Sequence, residues 1–327
     1  MTFRLDHLRR LGKGVSVPIP RDADGFLGRE CPEKACEGYF KVKPGTGLTG
    51  RDLSCHCPYC GHRDSSDKFF TQEQIEYAKS IVLGEVTNAL RADLKTMEFD
   101  YKAKGPFGIG LSLKLQPRAP VPIRHYRERT LETRLACTSC SLEYAVYGVF
   151  AFCPDCGVHN SVQILQRNLE LVTKQLELSE TVPDVDLQQH LREDALENCV
   201  SAFDGFAREL CRVHASQSAA PDQAMTISCQ NLSRAARRLK QLFAVDIEAC
   251  VTADEWQAAC RAFLRRHLLA HKAGVIDVRY IEESGEPLSL LRRRIAVTRA
   301  DVAAVAATVD RLAVHLSNAL NALPGRP

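Results

Sequence analysis

Cys137-Thr138-Ser139-Cys140, followed after twelve residues by Cys153-Pro154-Asp155-Cys156-Gly157, is the stretch on which the reading of this chain turns. Each Cys-x-x-Cys pair presents two thiols from one tight turn, and a hairpin that brings two such turns together places four at the corners of a tetrahedron. Pro154 and Gly157 shape the turn so that backbone N–H groups point at the sulfurs. Between the pairs, Tyr144-Ala145-Val146-Tyr147-Gly148-Val149-Phe150 is rich in β-formers and suits a hairpin. The spacing predicts a small β ribbon closed by four thiolates around zinc.

A second quartet lies upstream. Its closing arm, Cys57-Pro58-Tyr59-Cys60-Gly61, is regular, whereas its opening arm, Cys31-Pro32-Glu33-Lys34-Ala35-Cys36, is two residues wider than usual. Cys55 and His56 stand beside the closing arm as alternative ligands. Cys57 is preferred because it, not Cys55, makes the knuckle with Cys60. Four thiolates close the coordination sphere, where a catalytic zinc keeps an open position, so both metals are expected to act as folding staples. Lys41, Lys43, Arg51, His62, Arg63 and Lys68 make this first module basic, as either nucleic-acid contact or an ordinary solvated face would. The Gly-rich stretches at 45–50 and 105–110 lack the Gly-Lys-Ser/Thr ending of a phosphate loop.

The chain of 327 residues is too long for one typical core and predicts two or three domains. Hydrophobic residues at 45% and charged residues at 25% describe a folded globular protein. A net charge of +3 is too weak to demand an anionic partner, so any case for nucleic acid rests on local clusters. No apolar run is long enough to span a membrane. Met1 to Arg10 is charged and has no apolar core, unlike a secretory signal. Eight of the fourteen cysteines form spaced pairs, which with no export signal points to a reducing cytoplasm. Of the others, Cys199, Cys211, Cys229, Cys250 and Cys260 fall in helical sequence and read as reduced, buried small hydrophobes.

Outward from the quartets, residues 1–30 read as an irregular lead-in. Thr71-Gln72-Glu73-Gln74 approximates a capping box that opens a helix to about Lys95, with Ile75, Ala78, Val82 and Val86 on one stripe. Residues 97–160 hold short β segments broken by Pro117, Pro120 and Pro122. Beyond 160 the pattern is helical. Leu165, Leu169, Val172 and Leu176 form a stripe stopped before Pro183, and Cys199, Phe203, Phe206 and Leu210 mark a helix over roughly 187–215. Leu232, Ala236, Leu239 and Phe243 mark a third, Trp256, Cys260 and Phe263 a fourth, and Val302, Val305, Val309, Leu312 and Leu316 a last. The fold class is multidomain α+β: two small β zinc ribbons followed by an all-α helical bundle. The boundaries are 1–70 for the first ribbon, 71–96 for a connecting helix, 97–160 for the β-rich segment with the second ribbon, and 161–327 for the bundle.

The fourth helix ends Phe263-Leu264-Arg265-Arg266-His267-Leu268-Leu269-Ala270-His271-Lys272-Ala273-Gly274. At 100° per residue His267 and His271 share a face and continue the stripe of Trp256, Cys260 and Phe263, with Arg266 to one side. Two histidines buried there without partners would be costly. Basic groups at Arg234, Arg237, Arg238 and Lys240, and at Arg292, Arg293 and Arg294, are either guides for RNA or solvated helix faces.

This region resembles the HEPN family (higher eukaryotes and prokaryotes nucleotide-binding domains), all-helical proteins of which many are metal-independent ribonucleases. The family's mark is Arg, a polar residue, three more residues and His, which Arg266, His267 and His271 fill. The flanks are similar too: Gln230-Asn231-Leu232 upstream, then Gly274-Val275-Ile276-Asp277, Tyr280 and Gly285-Glu286-Pro287-Leu288. The resemblance covers roughly 161–327 and leaves the ribbons outside. It implies a homodimer whose cleft holds Arg266 and His271 of both chains, and an RNA endonuclease of toxin or phage-defence type with an antitoxin or other regulatory protein as a further partner. His271 would be the principal acid/base, Arg266 the phosphate clamp, and His267 an orienting partner or second proton carrier. The competing expectation is a non-catalytic zinc-ribbon adaptor that binds nucleic acid and dimerises through its helices. A purely structural interaction protein is the third.

Overall fold

A computed structural model describes residues 5–12, 14–48, 53–102, 111–116, 119–131 and 133–324. The chain divides into two compact units, 1–148 with 152–157 and 149–151 with 158–327.

In the first unit the lead-in is more ordered than its composition predicts. It holds a short helix, α1 (Asp6–Leu11), and a strand, β1 (Leu27–Glu30). The Asp93 carboxylate accepts from the His7 and Leu8 backbone amides and so occupies the first turn of α1. β1 pairs with β2 (Tyr39–Val42), and β2 pairs in turn with β8 (Glu143–Val146), which pairs with β7 (Thr133–Ala136). All three pairings are antiparallel. One four-stranded sheet therefore carries strands from both cysteine modules, with Lys41 opposite Ala145. Two hairpins stand apart, β3 (Ser54–His56) with β4 (Arg63–Ser65) and β5 (Phe99–Tyr101) with β6 (Leu111–Leu113).

The hairpin expected over 144–150 lies elsewhere. β8 ends at Val146, and its partner is β7 on the far side of the Cys137–Cys140 turn. Gly148, at φ 79°, breaks the run of β-formers. The helix expected from Thr71 is α2 (Gln72–Lys95), and its capping box is complete: Thr71 Oγ1 accepts from the Gln74 amide, and Gln74 Oε1 accepts from the Thr71 amide.

The second unit is built from α3 (Ser161–Thr181), α4 (Val185–Val213), α5 (Pro221–Met225), α6 (Leu232–Phe243), α7 (Ala253–Lys272), α8 (Val278–Ser284) and α9 (Arg299–Asn321). The five apolar stripes seen in the sequence fall on α3, α4, α6, α7 and α9. Leu165, Phe203, Leu239, Phe263 and Leu312 are each at most 1% exposed and belong to one continuous core. Thr252 with Glu255 and Thr298 with Asp301 cap α7 and α9 in the same reciprocal way as Thr71 with Gln74. None of the helices among the described residues is long and apolar enough to cross a membrane.

Candidate functional site

The eight paired cysteines gather into two groups, Cys31/Cys36/Cys57/Cys60 and Cys137/Cys140/Cys153/Cys156. Sulfur separations are 3.7 Å for Cys31–Cys60 and Cys36–Cys57, 3.6 Å for Cys137–Cys156 and 3.5 Å for Cys140–Cys153. These are far beyond a disulfide bond of about 2.05 Å. A tetrahedron with metal–sulfur bonds of about 2.3 Å has edges of about 3.8 Å, which the observed spacings approach. The residues present therefore fit a four-thiolate metal site at each group. Cys57, not Cys55, completes the first: the Cys55 thiol is buried, donates weakly to the His56 carbonyl and is pushed up to about 12 by burial.

The local backbone explains both the regular and the widened arms. Gly61, Ser141 and Gly157 each follow a second cysteine in the left-handed region, and each donates to the carbonyl four residues back, of Cys57, Cys137 and Cys153. Glu37 does the same to Glu33 after Cys36. The knuckle of the first arm thus forms on 33–37, with Glu33 where a first cysteine would stand, and Cys31 reaches in from the end of β1. Amides still serve the sulfurs. The Tyr59 N–H lies 3.4 Å from Cys57 Sγ. Burial opposes ionisation at Cys137, but the amides of Cys140 and Ser139 outweigh it and hold that thiol below its usual range.

Part of the positive charge of the first module is neutralised. Lys41, buried on β2, donates to Asp22, and Lys43 donates to Glu143, both at 2.8 Å. Arg63 Nε donates to Ser54 Oγ, and His62 lies 4.0 Å from Asp64. Arg51 lies outside the described residues, as do 105–110. Two of the lysines expected on a basic face are thus ion-paired, whereas Arg63 and Lys68 have no ion pair among the described residues.

In the second unit the adjacent Arg265 and Arg266 of α7 separate. Arg265 turns inward: its Nε donates to Tyr280 Oη at 3.1 Å and its Nη2 to Glu286 at 2.9 Å, while Tyr280 Oη donates to the other Glu286 oxygen at 2.7 Å. Arg266 makes only a long contact, 3.5 Å from Nη1 to Gln230 Oε1, and its buried Nε has no partner among the described residues. His267 and His271 stack obliquely, with ring centroids 4.7 Å apart. Both are exposed, contrary to the expectation that they continue the buried stripe. The buried face of α7 runs instead through Ala259, Ala262, Phe263 and Leu268, so the imidazoles leave the core one turn before the helix ends, and the cost of burying both in full does not arise. Partial burial, then the neighbouring His271, Arg279 and Arg266 charges, hold the His267 imidazole below its usual pKa against the pull of Asp277.

His267 also borders a cavity of about 480 Å³ between α6, the end of α7 and α8. Gln230, Asn231, Asp277 and Tyr280, quoted from the sequence as flanks, all line it. Asn231 and Asp277 earn their places as N-caps of α6 and α8. Arg279 and Glu283 carry no signal in the sequence. They face the cavity as an i,i+4 ion pair of 2.7 Å on α8, a helix of seven residues too short to show a periodic stripe. No family model matches the chain, and neither a curated protein nor a solved structure matches it.

Proposed function

We propose that the helical unit is a metal-independent RNA endonuclease of the HEPN kind, working as a homodimer, and that zinc fills the two four-cysteine sites as a structural staple. The observation that carries the reading is the trio on α7: two exposed imidazoles 4.7 Å apart and, beside them, a guanidinium whose donors are largely unspent.

Those groups supply what transesterification of RNA needs. The 2′-oxygen bonds to phosphorus as its proton passes to one imidazole. The P–O5′ bond breaks as the departing 5′-oxygen takes a proton from the other, leaving a 2′,3′-cyclic phosphate and a 5′-hydroxyl. Arg266, with free donors, holds the non-bridging oxygens as negative charge builds. The lowered pKa of His267 favours it as the proton acceptor and leaves His271 as the donor. A second copy of the chain would bring the same trio across a two-fold axis.

The test is cleavage of RNA by purified protein in excess chelator. Wild type is expected to cut and to leave cyclic phosphate ends, while His271→Ala and Arg266→Ala each lose about 100-fold or more. Undiminished cleavage by both variants overturns the proposal.

A further inference from the structure

We infer that the cavity between α6, α7 and α8 is a nucleotide subsite, in which one nucleotide of single-stranded RNA lays its base against the apolar floor and its phosphate on Arg234 and Arg238. It deepens the ribonuclease reading and rests on that reading for its substrate.

Three features of the cavity converge on that ligand. Its floor is apolar, formed by Ile227, Phe263 and Leu268, as the face of a base requires. Its lining also carries the Gln230 carboxamide, whose NH2 group suits an acceptor on the edge of a base, whereas the Asn231 carboxamide is spent capping α6 and on Glu283. Its outer wall carries Arg234 and Arg238, which have no carboxylate within ion-pair distance among the described residues, whereas Arg279 opposite is already paired to Glu283. Two unpaired guanidinium groups one helical turn apart on α6 form a fork for phosphate oxygens. A volume of about 480 Å³ is within the range of small-ligand sites and suits one nucleotide, not a duplex.

The cavity also joins the reacting trio. His267 is part of its wall, and Gln230, on its rim, touches Arg266. A nucleotide seated there would place its neighbouring phosphodiester at the imidazoles. Arg234 and Arg238 would then set affinity, not the chemical step.

The experiment measures binding of a nucleoside 5′-monophosphate and of inorganic phosphate by calorimetry, alongside steady-state cleavage of a single-stranded RNA. Wild type, Arg234→Ala, Arg238→Ala, Arg238→Lys and His271→Ala are compared, with circular dichroism confirming the fold. Each Arg→Ala change is expected to weaken nucleotide binding and raise KM by about tenfold with kcat kept, the loss of one charge-assisted pair. Arg238→Lys recovers part of it, and His271→Ala binds normally while failing to cut. Binding of phosphate as tight as that of the nucleotide would overturn the base-binding floor, and unchanged KM and binding in both Arg→Ala variants would overturn the subsite. A wild type that binds nucleotide through the two arginines yet cuts no RNA keeps the subsite and defeats the ribonuclease reading alone.

Discussion

Arg265→Ala and Arg266→Ala remove the same atoms from adjacent positions, and their effects should part completely. Arg265 is 24% exposed, its partner Glu286 19%, and Tyr280 between them 3%. Truncating Arg265 leaves the mostly buried Glu286 carboxylate without its cation, with the Tyr280 hydroxyl still donating to it. Breaking a fully buried ion pair costs about 3–5 kcal/mol. Here water reaches a fifth to a quarter of each charged side chain, which lowers the cost to about 2–3 kcal/mol. For a unit of this size that is a fall of roughly 4–12 °C in Tm, or about 1 M in the urea midpoint. Arg266, by contrast, holds one 3.5 Å contact and a buried Nε with no partner among the described residues, so its removal costs under about 1 kcal/mol. Its loss should appear in cleavage. Urea titrations followed by circular dichroism, run beside the RNA assay in chelator, separate the two. An Arg265→Ala protein as stable as wild type, or an Arg266→Ala protein as unstable as Arg265→Ala is expected to be, would refute the division of labour on α7.

Three further outcomes are expected. Native mass spectrometry should find two zinc ions per chain, falling to one in Cys153→Ser; two ions in that variant would contradict a four-thiolate site there. Glu209 is held down to about 2, with burial opposing its ionisation and the Arg212 guanidinium and His159 outweighing it. The stability it contributes is complete above the ordinary 4.5 and is lost as pH falls from there toward 2; with Arg212 about half exposed, roughly 1–2 kcal/mol is at stake. Glu209→Gln should flatten acid unfolding of the helical unit across that window, and an unaltered acid transition would remove the linkage. Arg279→Gln takes away one of the charges that depress His267, so the His267 pKa rises and the acid limb of the pH–rate profile moves to higher pH. An unmoved limb would rule out His267 as the proton acceptor.

What the sequence disclosed and withheld follows the range of each interaction. The cysteine arms and the Thr71 cap are local, each set within six residues, and their geometry follows from spacing. Even the widened Cys31–Cys36 arm keeps its knuckle, because the left-handed turn at Glu37 needs only the residues beside it. The sheet that unites both cysteine modules pairs Lys41 with Ala145, and nothing in either strand names a partner about a hundred residues away. The same distance hid Glu143, the acid that neutralises Lys43, while Asp22 meets Lys41 from 19 residues upstream. On α7 the period revealed that His267 and His271 share a face, but a period does not say where the covering elements stop. That is decided by α8 and by the chain around Glu286, which draw Arg265 inward and leave the next residue's fork outside.

The two units are held by different means, and the two four-cysteine sites lie where apolar burial is scarce. The continuous core that runs from Leu165 to Leu320 lies wholly within the helical unit. The first unit buries Phe26, Tyr39, Phe40, Phe69 and Tyr144, with four of its remaining buried positions being ligand cysteines. Meanwhile Ile75, Leu83, Val86 and Leu90 on α2 stay partly exposed. A core of that size stabilises a β module poorly without a cross-link. Metal binding adds free energy on the order of 10 kcal/mol per four-thiolate site, enough to replace the missing burial. Because β2 and β8 share one ladder, a metal lost at either quartet loosens a strand on which the other depends, whereas the α3–α9 core owes nothing to either.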